Sequence, residues 1–193
     1  LLNMDNIEIL THRYPDGDTL GSAYALCLGL QQLKKNARVI TAGEPAKKYN
    51  FLKKGVIDQN FEAEYVVSVD VAAESLLGEN EDIYKGRIDI CIDHHGTNSI
   101  DAKVKYVDAE SASAAEVIFE LLGYMTGVVL DKNIASCIYT GLSTDTGCFR
   151  YTNTTPKTHI IAAKTMAAGA PWEKINAEMF EIMSPARIEL QKL

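Results

Sequence analysis

At 193 residues, with 47% hydrophobic residues, the chain can bury a core of its own without disulfides or a structural metal. Its formal net charge of −7 argues against broad, non-specific duplex binding, which needs a cationic face to release counterions, but leaves room for a small phosphorylated ligand. No apolar run reaches transmembrane length and no signal-peptide pattern is present, and Cys27, Cys91, Cys137 and Cys148 form no C-x-x-C pair, so they read as buried free thiols in a cytoplasmic protein.

Ile7–Thr11 is short and β-branched and runs into a Pro/Gly/Asp cluster, the pattern of a strand entering a turn. From Thr19 to Lys35, Leu20, Ala23, Cys27 and Leu30 recur at helical spacing. Further strands are expected at Arg38–Thr41, at Tyr65–Val69 running into Asp70, and at Arg87–Ile92 running into Asp93-His94-His95. Lys103–Val107 alternates polar and apolar residues and fits an edge strand. Helices follow at Ser113–Leu122, Asp131–Leu142, Lys157–Ala168 and Ile175–Met183, the first with a capping box from Ser113 to Glu116. Glu79–Asp82 reads as a solvated loop, and Gly169-Ala170-Pro171 as a turn between helices. Strands alternating with helices predict an α/β domain of three layers, a mostly parallel sheet covered by helices on both faces.

In such folds ligands collect beyond the carboxyl ends of the strands. Three strands here end in acidic or histidine-rich segments. After the first comes His12-Arg13-Tyr14-Pro15-Asp16-Gly17-Asp18: Pro15 stops the strand, Gly17 permits a tight turn, and His12, Asp16 and Asp18 can converge. Imidazole with carboxylates suits Mn²⁺, Mg²⁺ or Co²⁺ better than a thiolate-preferring metal. Asp18 also stands where a helix N-cap belongs, and Gly21-Ser22 would let a phosphate approach the first turn. Asp70 and Asp93-His94-His95 end two later strands, and Asp145 lies in Ser143-Thr144-Asp145-Thr146-Gly147. Neighbouring residues at a strand end point in different directions. One histidine of the pair is therefore expected to bind metal and the other to face substrate, with Asp93 orienting a ligating imidazole. Each motif alone is also a common cap or turn. Together, Asp16, Asp18, Asp70 and Asp145 in one crevice would repel strongly unless cations neutralised them. Two divalent metals about 3.5–4 Å apart would do so, and would activate a water for phosphoryl displacement.

The ordered set His-x-x-Pro-Asp-Gly-Asp-x-x-Gly-Ser, strand-end Asp, Asp-His-His and Thr-Asp-Thr-Gly resembles the four motifs of the DHH superfamily of phosphoesterases (RecJ-like), over residues 7 to 183. Pro15-Asp16-Gly17-Asp18 and the run from Asp145 to Pro156 look most like its branch of bacterial oligoribonucleases and 3′-phosphoadenosine-5′-phosphate phosphatases. The resemblance implies a DHH catalytic domain over 1–183, with 184–193 starting a connector to a C-terminal substrate-binding domain. It implies His12, Asp16 and Asp70 on one metal, and Asp18, Asp70, His94 and Asp145 on a second, with Asp70 bridging. His95 would contact the scissile phosphate and Asp93 would support the site. Mn²⁺ is the implied cofactor, with Mg²⁺ or Co²⁺ as substitutes.

Arg13, Asn98 and Arg150 are candidate phosphate contacts; His159 and Trp172 read as structural. The expected activity is hydrolysis of short oligonucleotides or small nucleotides by metal-activated water. The alternatives are a pyrophosphatase, polyphosphatase or cyclic-dinucleotide phosphodiesterase on the same site, or a non-catalytic nucleotide-binding module. No membrane association is expected, and the oligomeric state is open between monomer and homodimer.

Overall fold

The computed structural model describes residues 1–182, so the expected connector at 184–193 and the end of the helix expected to reach Met183 lie outside the described residues. Five strands form one parallel sheet: β1 (Ile7–Leu10), β2 (Ala37–Ile40), β3 (Tyr65–Val69), β4 (Ile88–Asp93) and β5 (Ala102–Val107), in the order β2-β1-β3-β4-β5. The expected strands are all present, within a residue at each end, and β5 is the edge strand its alternation implied. The chain moves from β1 outward to β2, then returns across β1 to β3. The order therefore reverses between β1 and β3, which opens a crevice beyond their carboxyl ends.

The sheet's two faces are covered unequally. Ile7, Ile9, Val67, Val69 and Ile92 pack against the large helical layer: α1 (Gly17–Gln32), α3 (Ala114–Tyr124) and α4 (Lys132–Asp145), with α5 (Pro156–Ala167) and α6 (Trp172–Asn176) outside α4. On the other face Leu10, Val66, Ile88 and Cys91 meet Leu77, Tyr84 and Ile100, from a 3-10 segment at Glu74–Asn80, the short α2 (Glu81–Tyr84) and the stretch before β5. The run Glu79–Asp82 is thus not a loop but the junction of these two turns. A second 3-10 segment, Lys47–Lys53, lies against α1 and α4. No described helix is long and apolar enough to cross a membrane.

Helix α1 is buried on all sides, because it is enclosed by the sheet, α3 and α4. This explains its small residues. A methyl group at Gly21 would overlap the Cys137 carbonyl oxygen of α4, and one at Gly141 of α4 would meet Asp18 Oδ1 and the Ala115 side chain. Gly21 thus serves helix packing and not the phosphate approach expected of it. Gly21→Ala should destabilise the fold by about 1–3 kcal/mol through overpacking, visible as a lower urea midpoint at unchanged m-value. A midpoint equal to the parent's would mean that α1 and α4 can separate at no cost.

Local signals mark most helix ends. Asp131 caps α4, accepting from Asn133 N and Ile134 N at 2.9 Å each. Ser113 accepts from Glu116 N, but Glu116 does not close the expected box; its carboxylate accepts instead from Ala112 N and the Thr158 hydroxyl. A complete capping box occurs at Thr155 and Thr158, opening α5 with Pro156. Cys27, Cys91 and Cys137 are buried as expected, whereas Cys148 is only half-buried.

Candidate metal centre

The crevice between β1 and β3 gathers every residue assigned to metal from the sequence. His12 follows β1, Asp70 follows β3, Asp93 ends β4 with His94 and His95 next, Asp16 and Asp18 open α1, and Asp145 ends α4. Strand ends deliver one half of the donors and helix ends the other.

Asp16, not Asp18, is the N-cap of α1: its Oδ1 accepts from Asp18 N and Thr19 N at 3.0 Å each. Gly17 is already helical, and its missing side chain makes room for Thr144 and not for a turn. Asp18 is buried. It accepts from the N-terminal amides of α3, Ala114 N at 2.7 Å and Ala115 N at 2.9 Å, and from the Ser22 hydroxyl at 3.2 Å. The positive end of α3 therefore faces an aspartate of α1.

Asp70 stands at the centre. Its Oδ2 lies 3.9 Å from His12 Nε2, and its Oδ1 lies 3.6 Å from His94 Nε2. Oδ1 is buried without a hydrogen-bond partner. The backbone at Asp70 has φ +58°, a left-handed conformation that aspartate tolerates better than most residues and that commonly marks functional sites. Around it the donors form three overlapping groups, His12–Asp16–Asp70, Asp18–His94–Asp145 and Asp70–Asp93–His94–His95, each with ligand atoms within 4.8 Å of one another, and Asp70 belongs to two of them. His94 Nε2 is 3.8 Å from Asp18 Oδ2 and 3.6 Å from Asp145 Oδ2; His12 Nε2 is 3.9 Å from Asp16 Oδ1.

The two adjacent histidines differ in their partners. His94 Nδ1 faces the Ser111 carbonyl at 3.3 Å, which must accept, so Nδ1 carries the proton and Nε2 presents its lone pair to the carboxylates. His95 Nδ1 is paired with Asp93 Oδ1 at 2.8 Å, and the ring is half exposed. Asp93 therefore orients His95 and not the imidazole aimed at the acidic cluster, which corrects the expectation that it supports a ligating histidine. Asn98 is turned inward. Its Nδ2 donates to Asp93 Oδ2 at 2.6 Å and to the Val71 carbonyl at 2.9 Å, while its Oδ1 accepts from Ile100 N at 3.1 Å. Its polar atoms are thus occupied in holding Asp93. Arg150 is exposed, with Nε donating to the Gly147 carbonyl at 2.6 Å; Arg13 is exposed over the Tyr14 ring. His159 stacks on Phe149, and Trp172 lies at the start of α6. Ser111, Gly141 and the amides of Ala114 and Ala115 were missed from sequence. The helix start signalled by Ser113 was the available clue to an anion partner there.

Burial, and then the neighbouring acids Asp18, Asp16, Asp93 and Asp145, push the Asp70 carboxyl well above its ordinary value. Burial and then Asp145 and Asp16 do the same to Asp18, and burial raises Asp145 despite nearby His94. Burial lowers His12 despite Asp16. Burial also opposes ionisation of Asp93, but hydrogen bonds from His95 and Asn98 outweigh it and leave Asp93 below the carboxylate range. The Asp93 hydrogen bond raises His95, favouring the imidazolium. An acidic cluster whose members resist ionisation, around an unpartnered buried oxygen and imidazole lone pairs, fits divalent cations.

Asp18, Asp70 and Asp145 favour the metal-free fold fully below their unfolded value of 3.8, and that contribution is lost as pH rises through their raised folded values. Cations bind the deprotonated ligands. The gap in Tm between chelated and Mn²⁺-supplemented protein should therefore widen as pH rises from about 4 to about 8. A gap independent of pH would show that these carboxylates do not bind the cation.

The model of the DHH family, N-terminal domain, matches residues 6–142. The bifunctional oligoribonuclease and PAP phosphatase of Thermus thermophilus is 33% identical over 169 residues, 84% of this chain and 50% of that protein. A probable manganese-dependent inorganic pyrophosphatase of Streptococcus mutans is 27% identical over 155 residues, 74% of this chain and 49% of its own. Among solved structures, an exopolyphosphatase-related protein from Bacteroides fragilis superposes with a TM-score of 0.86 at 26% identity, covering 98% of this chain and 60% of that one. The chain spans about half the length of these curated relatives.

Proposed function

The chain belongs to the DHH family, and from that premise we propose that residues 1–183 are the catalytic domain of a two-metal phosphoesterase acting on short oligonucleotides or small nucleotides such as 3′-phosphoadenosine 5′-phosphate. Residues 184–193 then begin the connector to a further, substrate-selecting domain. The observation that carries the reading is Asp70: one oxygen faces His12, the other faces His94, and the latter oxygen is buried and unpartnered. A single carboxylate between two donor groups is the arrangement a shared ligand requires.

In this reading His12, Asp16 and Asp70 hold one cation, and Asp18, Asp70, His94 and Asp145 hold the other, Mn²⁺ being the metal named for the pyrophosphatase relative. When bound, the cations lower the pKa of water and offset charge on the phosphoryl oxygens. The protein's own groups do the rest. The Ser111 carbonyl and the α3 amides hold His94 and Asp18 in place. His95, whose imidazolium is favoured by the Asp93 hydrogen bond, donates from its Nε2 to a phosphoryl oxygen and offsets charge as the phosphorus is attacked. Water displaces the nucleoside oxygen, and no covalent intermediate forms on the protein.

The test is hydrolysis by chelated protein before and after Mn²⁺ is restored, with a dinucleotide, 3′-phosphoadenosine 5′-phosphate, pyrophosphate, polyphosphate and a cyclic dinucleotide side by side. Recovery on the first two is expected. Turnover of pyrophosphate alone, or none of the five, would overturn the assignment. The likeness to the oligoribonuclease at 33% identity, against 27% for the pyrophosphatase, favours the nucleotide substrates.

A further inference from the structure

A second concave site lies away from the metal centre. A cavity of about 560 Å³ opens between the 3-10 segment Lys47–Lys53, the amino end of α4 and helix α6, within the size range of small-molecule sites. Its rim carries Lys47, Lys48, Lys54, Lys132 and Lys174, and Phe51 and Ile175 contribute apolar surface. Five lysines against one carboxylate, Glu178, make a marked local excess of positive charge in a chain of net charge −7. Among the described residues the ion-paired lysines are Lys85, Lys103 and Lys157, none of them in this group. The excess of like charge gives this face a positive potential that favours an anion, even after Glu178 is counted. A cavity lined by an aromatic ring, an isoleucine and several lysines offers apolar surface for a base and positive charge for its phosphate.

The cavity is joined to the metal centre by two elements. Helix α4 runs from Lys132 at the cavity to Asp145 at the acidic cluster, about 20 Å at 1.5 Å per residue. The 3-10 segment also carries Tyr49, whose phenol is pushed up to about 12 by burial first and then by the Asp16 charge. That segment packs against α1, which opens at Asp16 and Asp18, and against α4.

We propose that the lysine-rimmed cavity binds a nucleoside phosphate, either a free nucleotide or a nucleotide of a single strand whose end lies at the metal centre. The proposal rests on the phosphoesterase reading for its second source only. A strand stacked at about 3.4 Å per residue covers the 20 Å span in about six nucleotides. A dinucleotide at the metal centre cannot reach the cavity.

The experiment compares the parent protein with Lys132→Glu/Lys174→Glu and with Lys34→Glu/Lys53→Glu, which changes the charge equally at residues outside the cavity lining. Binding of AMP and of an adenylate hexanucleotide is measured in chelator across a salt series, and Mn²⁺-dependent hydrolysis of a dinucleotide is measured separately. The cavity variant should bind at least one probe about 10-fold more weakly, and where that probe is the hexanucleotide its log–log salt slope should fall by about 1.4 for two lost phosphate contacts. The control should stay within about twofold of the parent, and dinucleotide turnover should be unchanged in both. Lysine-dependent binding of AMP identifies a free-nucleotide site; dependence for the hexanucleotide alone identifies the distal part of a strand. Equal weakening in both variants, or none in either, overturns the proposal. Failure of the parent to hydrolyse any nucleotide overturns the phosphoesterase reading instead, and leaves the AMP measurement standing.

Discussion

Asp70→Ala should abolish hydrolysis, by at least about 10³-fold, and should reduce bound divalent cation at both donor groups and not at one alone. The reason is geometric. One oxygen of this carboxylate faces His12 and the other faces His94 and His95, so its loss removes a donor from between the His12 side and the His94 side of the cluster. Asp70→Asn tests the same idea with less disturbance. Alanine at φ +58° would add left-handed strain of about 1–2 kcal/mol, whereas asparagine tolerates that conformation. Asparagine also removes the charge that burial and four nearby acids disfavour. The metal-free Asp70→Asn protein should therefore melt at or above the parent's temperature, while gaining much less from Mn²⁺. Titration calorimetry and thermal melts measure both quantities. A variant that keeps two tight cations would end the bridging assignment.

The second large effect separates the adjacent histidines. His95→Ala should retain its cations while turnover falls by about 10²–10³-fold, the range for losing one donor to developing transition-state charge. His94→Ala should lose cation affinity first, because its Nε2 faces Asp18, Asp70 and Asp145 at 3.6–3.8 Å and its Nδ1 is committed to Ser111. The opposite pattern would mean that the two roles are exchanged. Asp93→Asn refines the comparison. Removal of the carboxylate that raises His95 should shift the basic limb of the pH–rate profile to lower pH, with cation binding little changed. A profile that keeps its shape would place the ionisation elsewhere.

The difference between His94 and His95 shows where one-dimensional reading stops. Strand periodicity says that neighbours diverge, yet the two ring centroids lie 4.4 Å apart and each ring stands 3.6 Å from Asp70 Oδ1, so they differ in their other partners. Periodicity does not say which neighbour meets which partner. That depends on Ser111, 17 residues further on in the loop before α3, and on Asn98, whose side chain is used up in fixing Asp93. The same holds at the first motif. His12, Asp16 and Asp18 were legible as a group, yet their local roles were partly misplaced. Asp16 caps α1 and Asp18 is held by another helix, because 96 residues separate Asp18 from Ala114 and no local pattern links them.

What the sequence determined by itself was local. Alternating and helical periodicity fixed the strands and most helices, and strand-end acids and histidines named the donors, because backbone propensity and solvent exposure act over a few residues. The tertiary structure decided what depends on distance across the chain. Reversal of strand order between β1 and β3 made the crevice, and close α1–α4 packing at Gly21 and Gly141 brought Asp18 to it. The lysine-rimmed cavity belongs to the same class: Lys47 and Lys174 are unremarkable in sequence, and only the approach of a 3-10 segment to α4 and α6 makes them neighbours.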